Sequence, residues 1–160
     1  MAALTVVHVV VSLVALAAGA GVLALMLRGH DHAALTPVFL ATTIAVDGTG
    51  FLFPIGETLL PGHIVGLISL AVLVVAVAGY YAYRLTGAWR WIYAAAALTA
   101  FYLNCFVAVV QAFLKVEALH ALAPSGTEPA FVAAHLVLMA VFIWLGIVAV
   151  RRFRPAMQTA

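Results

Sequence analysis

The sequence predicts an all-α integral membrane bundle of five transmembrane helices. Three observations support this fold class: 68% of the 160 residues are hydrophobic, only 8% are charged, and the mean hydropathy is +1.24. Soluble domains are about 45–50% apolar and about 25% charged, so composition alone excludes an ordinary soluble fold. The polar segments between the apolar stretches are short, and we therefore expect residues 1–160 to form a single transmembrane domain.

Five apolar stretches are long enough to cross about 30 Å of hydrocarbon, which takes about 20 helical residues. They are residues 4–27, 34–55, 63–83, 91–114 and 130–150. The segments between them, "RGHDHAA", "GETLLPG", "RLTGAWR" and "KVEALHALAPSGTEP", hold charged residues and turn formers. Arg28 follows the first stretch and nothing basic precedes it, an order that predicts a retained span with a translocated N-terminus and not a cleaved signal peptide.

The basic residues predict the orientation of the bundle. With five alternating spans, Lys115 lies at one face of the membrane and all the arginines lie at the other, namely Arg28, Arg84, Arg90, Arg151, Arg152 and Arg154. The positive-inside rule then predicts a periplasmic N-terminus and a cytoplasmic C-terminus. An aromatic belt is expected at the cytoplasmic interface, formed by Tyr80, Tyr81, Tyr83, Trp89 and Trp91.

The second span contains an unusual stretch, "TTIAVDGTGFLFP", which places a carboxylate and two glycines inside a predicted membrane helix. Asp47 lies seven residues before Pro54, so it is predicted to be about 10 Å inside the outer edge of the span. A carboxylate at the centre of a span costs about 2.5–3.5 kcal/mol on insertion scales, which predicts a partner or a wet cavity for Asp47. Gly48 and Gly50 weaken the helix at the same place.

Other polar residues are predicted to lie in the same outer half of the bundle. Residues three and four apart share a helix face, which groups Thr36, Thr43 and Asp47 on the second span. Asn104, Gln111 and Lys115 are grouped on the fourth span in the same way. The sequence therefore predicts an outward-facing ligand pocket whose residues are Asp47, His63, Asn104, Gln111, Lys115 and His135.

The ligand of this pocket is left open by the sequence. Histidines on different helices can bind haem iron or a metal ion, so haem b and a divalent metal are both candidate cofactors. The candidate ligands for either are His8, His63 and His135. A quinone held between the polar stripe Asn104–Gln111 and nearby phenylalanines is a third possibility. No motif with a fixed chemistry occurs, such as H-E-x-x-H, a phosphate-binding loop or C-x-x-C-H, so the sequence predicts no particular enzymatic activity.

Several segments resemble a group of small multi-pass bacterial integral membrane proteins with no assigned activity. They are "TGFLFP" (49–54), "LLPGHIVGLISL" (59–70), "AWRWIY" (88–93) and "YLNCFVAVVQAFLKVEALHALAP" (102–124). The resemblance covers roughly residues 36–154 and implies a location in the bacterial inner membrane. It carries no catalytic role onto any residue of this chain.

Three functions fit these observations. The first is a multi-pass inner-membrane protein that binds a small ligand, a metal, haem or a quinone in its periplasmic half. The second is a small transporter or proton-coupled element centred on Asp47, although five spans are few for alternating access. The third is a non-catalytic subunit of a larger membrane complex. The bilayer is the expected partner, and a homo-oligomer is compatible with all three. Nucleic-acid binding is not expected, because the basic residues are scattered between apolar runs.

Overall fold

The structure, a computed structural model, describes residues 2–30, 34–53 and 61–154. This part of the chain is all-helical, without β-strands. Its helices are α1 (Ala2–Leu27), α2 (Leu35–Gly50), α3 (Pro61–Val77), α4 (Trp89–Lys115), α5 (Glu117–Leu122) and α6 (Pro129–Arg152). α3 continues directly into a π-helical turn, Ala78–Ala82.

Four segments are long and apolar enough to cross a membrane, and they are Ala2–Leu27, Gly62–Ala82, Trp89–Lys115 and Pro129–Arg152. Their bounds agree with the first, third, fourth and fifth predicted spans to within two residues. The all-helical class is therefore confirmed, and the four candidate spans are consistent with a multi-pass membrane protein. Within the second predicted span, α2 has only 16 residues, and residues 54 and 55 of that prediction lie outside the described part of the chain.

α2 ends at the glycine-containing stretch that the sequence singles out. Glycine loses more conformational freedom than other residues when it is held in a helix, and α2 contains both Gly48 and Gly50 in its last turn. Beyond the helix, the Leu52 amide donates to the Thr49 carbonyl at 3.1 Å and the Phe53 amide donates to the Gly50 carbonyl at 3.3 Å. These tighter turns end the regular helix about 24 Å from its start, at a rise of about 1.5 Å per residue.

α1, α2, α3, α4 and α6 form a ring in that order, which closes where α6 packs on α1. α1 also packs on α4 across the ring. α2 runs back along α1, because Leu35 at its start lies beside Gly21 and Thr49 near its end contacts His8. α6 runs back along α4 in the same way, with Phe131 against Phe113 near one end.

The two ends of the bundle differ in their charged and aromatic residues. We call one the histidine end, which carries His8, His63 and His135, and the other the arginine end, which carries Arg28, Arg84, Arg90, Arg151, Arg152 and Arg154. At the arginine end the Tyr83 ring stacks on Trp89, with the ring centroids 3.8 Å apart and the planes within 4° of parallel. Tyr81 and Trp91 are exposed beside this pair, as expected for side chains at an interface with lipid headgroups.

The chain that follows α6 fastens the arginine end together. Phe153 is buried, and its carbonyl accepts a hydrogen bond from the Arg90 guanidinium. The Arg154 amide donates to the Gly29 carbonyl at 3.3 Å, which joins the end of α6 to the end of α1. Hydrogen bonds to backbone carbonyls therefore link three helix ends.

The core between α1 and α4 is built on small residues. A Cβ atom added to Gly19 of α1 would lie 2.4 Å from Cδ2 of Phe101 on α4. The Phe101 ring also makes edge contacts with Phe39, at 6.2 Å between centroids, and with Phe142, at 5.2 Å. Small residues let membrane helices approach closely where no hydrophobic drive between them exists. Phe101 thus closes the centre of the ring only because position 19 has no side chain.

The loop before α6 is ordered by one carboxylate. Glu128 accepts hydrogen bonds from the backbone amide and the hydroxyl of Ser125 at 2.9 and 2.8 Å, and from the Thr127 amide at 3.0 Å. The backbone bond from Ser125, followed by that residue's hydroxyl and the other amides, lowers the pKa of Glu128 to about 2. This loop joins the short helix α5, which was not anticipated from the sequence, to the start of α6.

Candidate functional site

The inward face of α2 is polar along most of its length. Thr36, Thr43 and Asp47 are all buried, with exposed fractions of 2%, 0% and 8%. Their spacings of seven and four residues place them on one side of the helix, which is the stripe that the sequence groups together. Such a stripe needs hydrogen-bond partners from other helices, because α2 can satisfy only part of its own side-chain polarity.

Thr43 has its partners in place. Its hydroxyl donates to the Phe39 carbonyl at 2.8 Å and accepts a hydrogen bond from the Asn104 amide of α4 at 3.3 Å. The bond from Asn104 joins α2 to α4 inside the bundle. Asn104 therefore lies level with Thr43, which is one helical turn from Asp47 towards the arginine end.

Asp47 does not have its partners in place. The hydroxyl of Ser69 on α3 lies close enough to the Asp47 carboxyl to interact with it, but neither Asp47 Oδ2 nor Ser69 Oγ meets hydrogen-bond geometry with any group in the described residues. Ser69 is 1% exposed, so water cannot easily replace the missing partners. An unsatisfied buried polar group typically costs about 1–3 kcal/mol, and more if it is charged. We call Thr43, Asp47, Ser69 and Asn104 the polar cluster.

His63 lies nearer the histidine end than the polar cluster. It is six residues before Ser69 on α3, which corresponds to about 9 Å along the helix axis. Its side chain is 7% exposed and packs against the Phe51 ring, with 5.7 Å between the ring centroids. Both ring nitrogens are buried and lack a hydrogen-bond partner among the described residues. A neutral imidazole offers one donor and one acceptor, and here both are available to a ligand.

His8 closes the space between α1 and the end of α2. Its Nδ1 atom forms a hydrogen bond with the Thr49 hydroxyl at 2.8 Å, and its ring contacts the Phe53 ring edge-on at 5.2 Å. Gly50 lies beside this ring, since a Cβ atom added there would be in ordinary van der Waals contact with His8 Cε1, at 3.8 Å. His8 is thus already paired within the bundle, in contrast to His63.

Gln111 and Lys115 have exposed side chains in the described structure. They lie on α4 beyond Asn104, towards the histidine end. Lys115 is still near enough to His8 for its charge to act on that ring. The structure places these two residues at the rim of the bundle, while Asn104 of the same predicted stripe is inside it.

His135 lies on a different side of α4 from the polar cluster. Its Nδ1 atom donates to the Phe131 carbonyl at 2.9 Å, and its ring contacts Phe106 and Phe131 at centroid distances of 4.4 and 4.2 Å. Because Nδ1 carries the proton in this bond, Nε2 is an acceptor, and it is buried without a partner. The residue lines an open groove of about 420 Å³ between α4 and α6, with Tyr102 and Met139 in its wall.

The predicted histidine ligands are distributed over α1, α3 and α6. α3 and α6 are both neighbours of α4 in the ring, and the His63 and His135 rings contact different sets of aromatic residues. Within residues 2–30, 34–53 and 61–154, no group of three or more His, Cys, Asp or Glu side chains is arranged to hold a metal ion. What the structure does bring together is Asp47 with Ser69 and, one turn away, Thr43 with Asn104.

Ser69 is the site residue that the sequence did not single out. The signal for it is present, because Ser69 is the only hydroxyl residue in α3 and lies three residues after Gly66. Leu73 follows four residues later, and a Gly66, Ser69 and Leu73 spacing marks one helix face. A single serine in an apolar helix is nevertheless weak evidence without knowledge of its neighbour across the helix interface.

The comparison with known proteins adds no family to this description: no family model, curated protein or solved structure matches the chain.

Proposed function

We propose that this protein is a multi-pass protein of the bacterial inner membrane that binds a small ligand at the polar cluster. Asp47, Ser69 and Asn104 supply the contacts from three neighbouring helices, and His63 supplies a further contact towards the periplasm. The observation that carries the proposal is the burial, without hydrogen-bond partners, of Asp47 Oδ2, Ser69 Oγ and both His63 ring nitrogens in the described residues. Buried polar groups are normally satisfied, so a ligand that satisfies them is the simplest reason for their presence.

In this proposal α2 is a fifth crossing, the N-terminus is periplasmic and the C-terminus is cytoplasmic. α2 supports this because it runs beside α1 from Gly21 to His8, which is about half the length of a helix that is itself long enough to span. The distribution of arginines supports the orientation, since all six lie at one end of the bundle. The histidine end then faces the periplasm.

Cysteine accessibility in intact cells tests this topology. In a Cys105→Ala background, we expect a membrane-impermeant maleimide to label Leu52→Cys and Ala121→Cys from outside the cell. Ala34→Cys and Thr86→Cys should react only after the membrane is permeabilised. All four native side chains are exposed. Equal labelling of Leu52→Cys and Ala34→Cys from one side would show that α2 does not cross, and the inverse pattern would reverse the orientation.

Identification of the molecule that co-purifies with the protein tests the ligand-binding function. We expect native mass spectrometry, absorption spectroscopy, elemental analysis or organic extraction to reveal one small species at fixed stoichiometry in the wild type. Asp47→Asn and Ser69→Ala should each lower its occupancy by at least tenfold. Thr99→Ala is the matched control, because its hydroxyl is exposed and donates to the Ala95 carbonyl of its own helix.

The result decides between the ligand classes. A Soret band indicates haem b, a metal signal indicates a metal ion, and a quinone in the extract indicates a membrane redox carrier. Absence of any such species in the wild type, or equal retention in Asp47→Asn, contradicts stable binding of a co-purifying ligand at the polar cluster.

A proton-coupled transport function is the second candidate. It is favoured by the lack of a cationic hydrogen-bond partner for Asp47 Oδ2 in the described residues. Intramembrane carboxyls in this situation commonly belong to proton or ion pathways. Proton flux into proteoliposomes that stops in Asp47→Asn would favour this function over stable ligand binding.

A further inference from the structure

The surroundings of Asp47 are poor in hydrogen-bond donors. An ionised carboxylate has two oxygens with about four acceptor sites, whereas a protonated acid needs fewer donors and can itself donate. The side chain placed to interact with Asp47 is Ser69, and its hydroxyl can donate a single hydrogen bond. One hydroxyl does not compensate a full negative charge in a medium of low dielectric constant.

No cation on the neighbouring helices offsets this shortage in the described structure. On α1, His8 is paired with Thr49. On α3, both His63 nitrogens are without partners, so this ring forms no ion pair with Asp47. On α4, the nearest polar residue along the stripe is neutral Asn104, and Lys115 is exposed at the histidine end. The polar cluster therefore contains one acidic group among neutral ones.

We propose that the polar cluster is a site where a proton is exchanged for a small singly charged cation. This proposal deepens the function proposed above and rests on the polar cluster as its ligand site. With the site empty, Asp47 holds an acid proton on its carboxyl, beside the Ser69 hydroxyl. When a monocation binds, the carboxyl releases that proton to water and pairs with the cation. The cluster is electrically neutral in both states.

Charge and ligand type both select a monocation. A divalent ion would leave one uncompensated positive charge in the bundle, and an anion would add to the charge of the carboxylate, each at a large desolvation cost. Within the polar cluster, the buried atoms without a partner among the described residues are oxygens, Asp47 Oδ2 and Ser69 Oγ. The amide nitrogen of Asn104 already donates to Thr43, so what that side chain can offer a ligand is its carbonyl oxygen. Oxygen atoms suit alkali-metal ions and small ammonium ions.

Infrared difference spectroscopy on the purified full-length protein tests the exchange. We expect the wild type to show the carbonyl stretching band of a protonated carboxylic acid, and Asp47→Asn to lose it. Ser69→Ala should keep the band and shift it to higher frequency, because the polar hydroxyl beside the acid is lost. Thr99→Ala should leave it unchanged. At constant pH, titration with sodium, potassium or methylammonium chloride should reduce the wild-type band at least twofold for one of the three, whereas magnesium chloride should not.

Two outcomes overturn the proposal. If no acid band depends on Asp47, the carboxyl is ionised in the empty site. If the band is present but none of the three monocations reduces it, the site does not exchange its proton for them. These failures are distinct from failure of the ligand-binding function. A co-purified species lost in Asp47→Asn can coexist with an ionised Asp47, and an exchanging acid band can be present when no species co-purifies.

Discussion

Asp47→Leu is expected to make the protein more stable and to remove the ligand binding that we propose. The Asp47 carboxyl is buried, with one oxygen unpartnered among the described residues. Leucine has the same branched arrangement of side-chain heavy atoms and no polar atom to satisfy. On insertion scales an aspartate at the centre of a span is unfavourable by about 2.5–3.5 kcal/mol. Part of that cost is relieved by Ser69, so we expect a gain of about 1–3 kcal/mol.

Thermal unfolding in detergent or nanodiscs measures this effect. A gain of about 2 kcal/mol corresponds to an increase in Tm of about 4–8 °C for a chain of this size. Thr43→Val is the matched control, one turn away on the same buried stripe. Thr43 accepts a hydrogen bond from Asn104, so valine leaves that amide without its partner and should lower stability by about 1 kcal/mol. Opposite signs at two adjacent positions of one stripe are the expected signature.

The two signs separate a functional carboxyl from a structural one. Polar groups that join membrane helices contribute to stability, and their removal is destabilising. A group retained for function at the expense of stability shows the reverse behaviour when it is replaced. A clear loss of stability in Asp47→Leu, as large as that in Thr43→Val, would assign Asp47 to helix association and remove the main support for a ligand site.

Hydropathy predicts most of this fold because the bilayer requires long apolar helices with internally satisfied backbones. The bounds of α1, α3, α4 and α6 follow from the lengths of the apolar runs, interrupted by charged loops. α2 is less well predicted. Its apolar run continues through Phe51, Leu52 and Phe53, but the regular helix ends at Gly50. Hydropathy scores the side chains and is insensitive to the backbone freedom of Gly48 and Gly50.

The sequence predicts which polar residues of the candidate site share a face of one helix, but not which residues meet across two helices. Helical periodicity places Thr43 and Asp47 on one face, and the unfavourable burial of a carboxylate requires that face to turn inward. Which residue meets Asp47 depends on the order of helices in the ring and on the rotation of α3. Neither is encoded in a local pattern, so Ser69 was not anticipated. The hydrogen bond between Thr43 and Asn104 also joins two helices, so local patterns do not predict it either.

Gln111 shows a second limit of face-based prediction. It shares a stripe with Asn104 and is seven residues further along α4, which is about 10 Å. Asn104 is level with Thr43, and Gly50 at the end of α2 is also seven residues beyond Thr43. Gln111 therefore lies level with the end of α2, where that helix stops covering α4. A side chain on the correct face is exposed because its covering helix is shorter than the predicted span.

Gly19→Ala is expected to lower stability by about 1–3 kcal/mol, the usual range for overpacking a filled core. The new methyl group would lie 2.4 Å from Phe101 Cδ2, far inside van der Waals contact. Phe101 cannot simply rotate away, because Phe39 and Phe142 contact its ring from two other helices. Alanine otherwise favours the helix by up to about 1 kcal/mol over glycine, so a loss must come from the contact between α1 and α4.

Two further variants test whether that contact is the cause. Gly146→Ala adds the same methyl group on α6, where nothing lies within 4 Å of the new atom, and it should leave Tm unchanged or raise it slightly. Phe101→Leu removes the ring that the methyl group meets. The loss of stability in the Gly19→Ala, Phe101→Leu double variant should therefore be smaller than the sum of the losses in the two single variants. The expected difference is more than about 0.5 kcal/mol. Strict additivity would mean that α1 and α4 are not in contact at this point. The ring of helices that positions Asp47 beside Ser69 would then need a different arrangement.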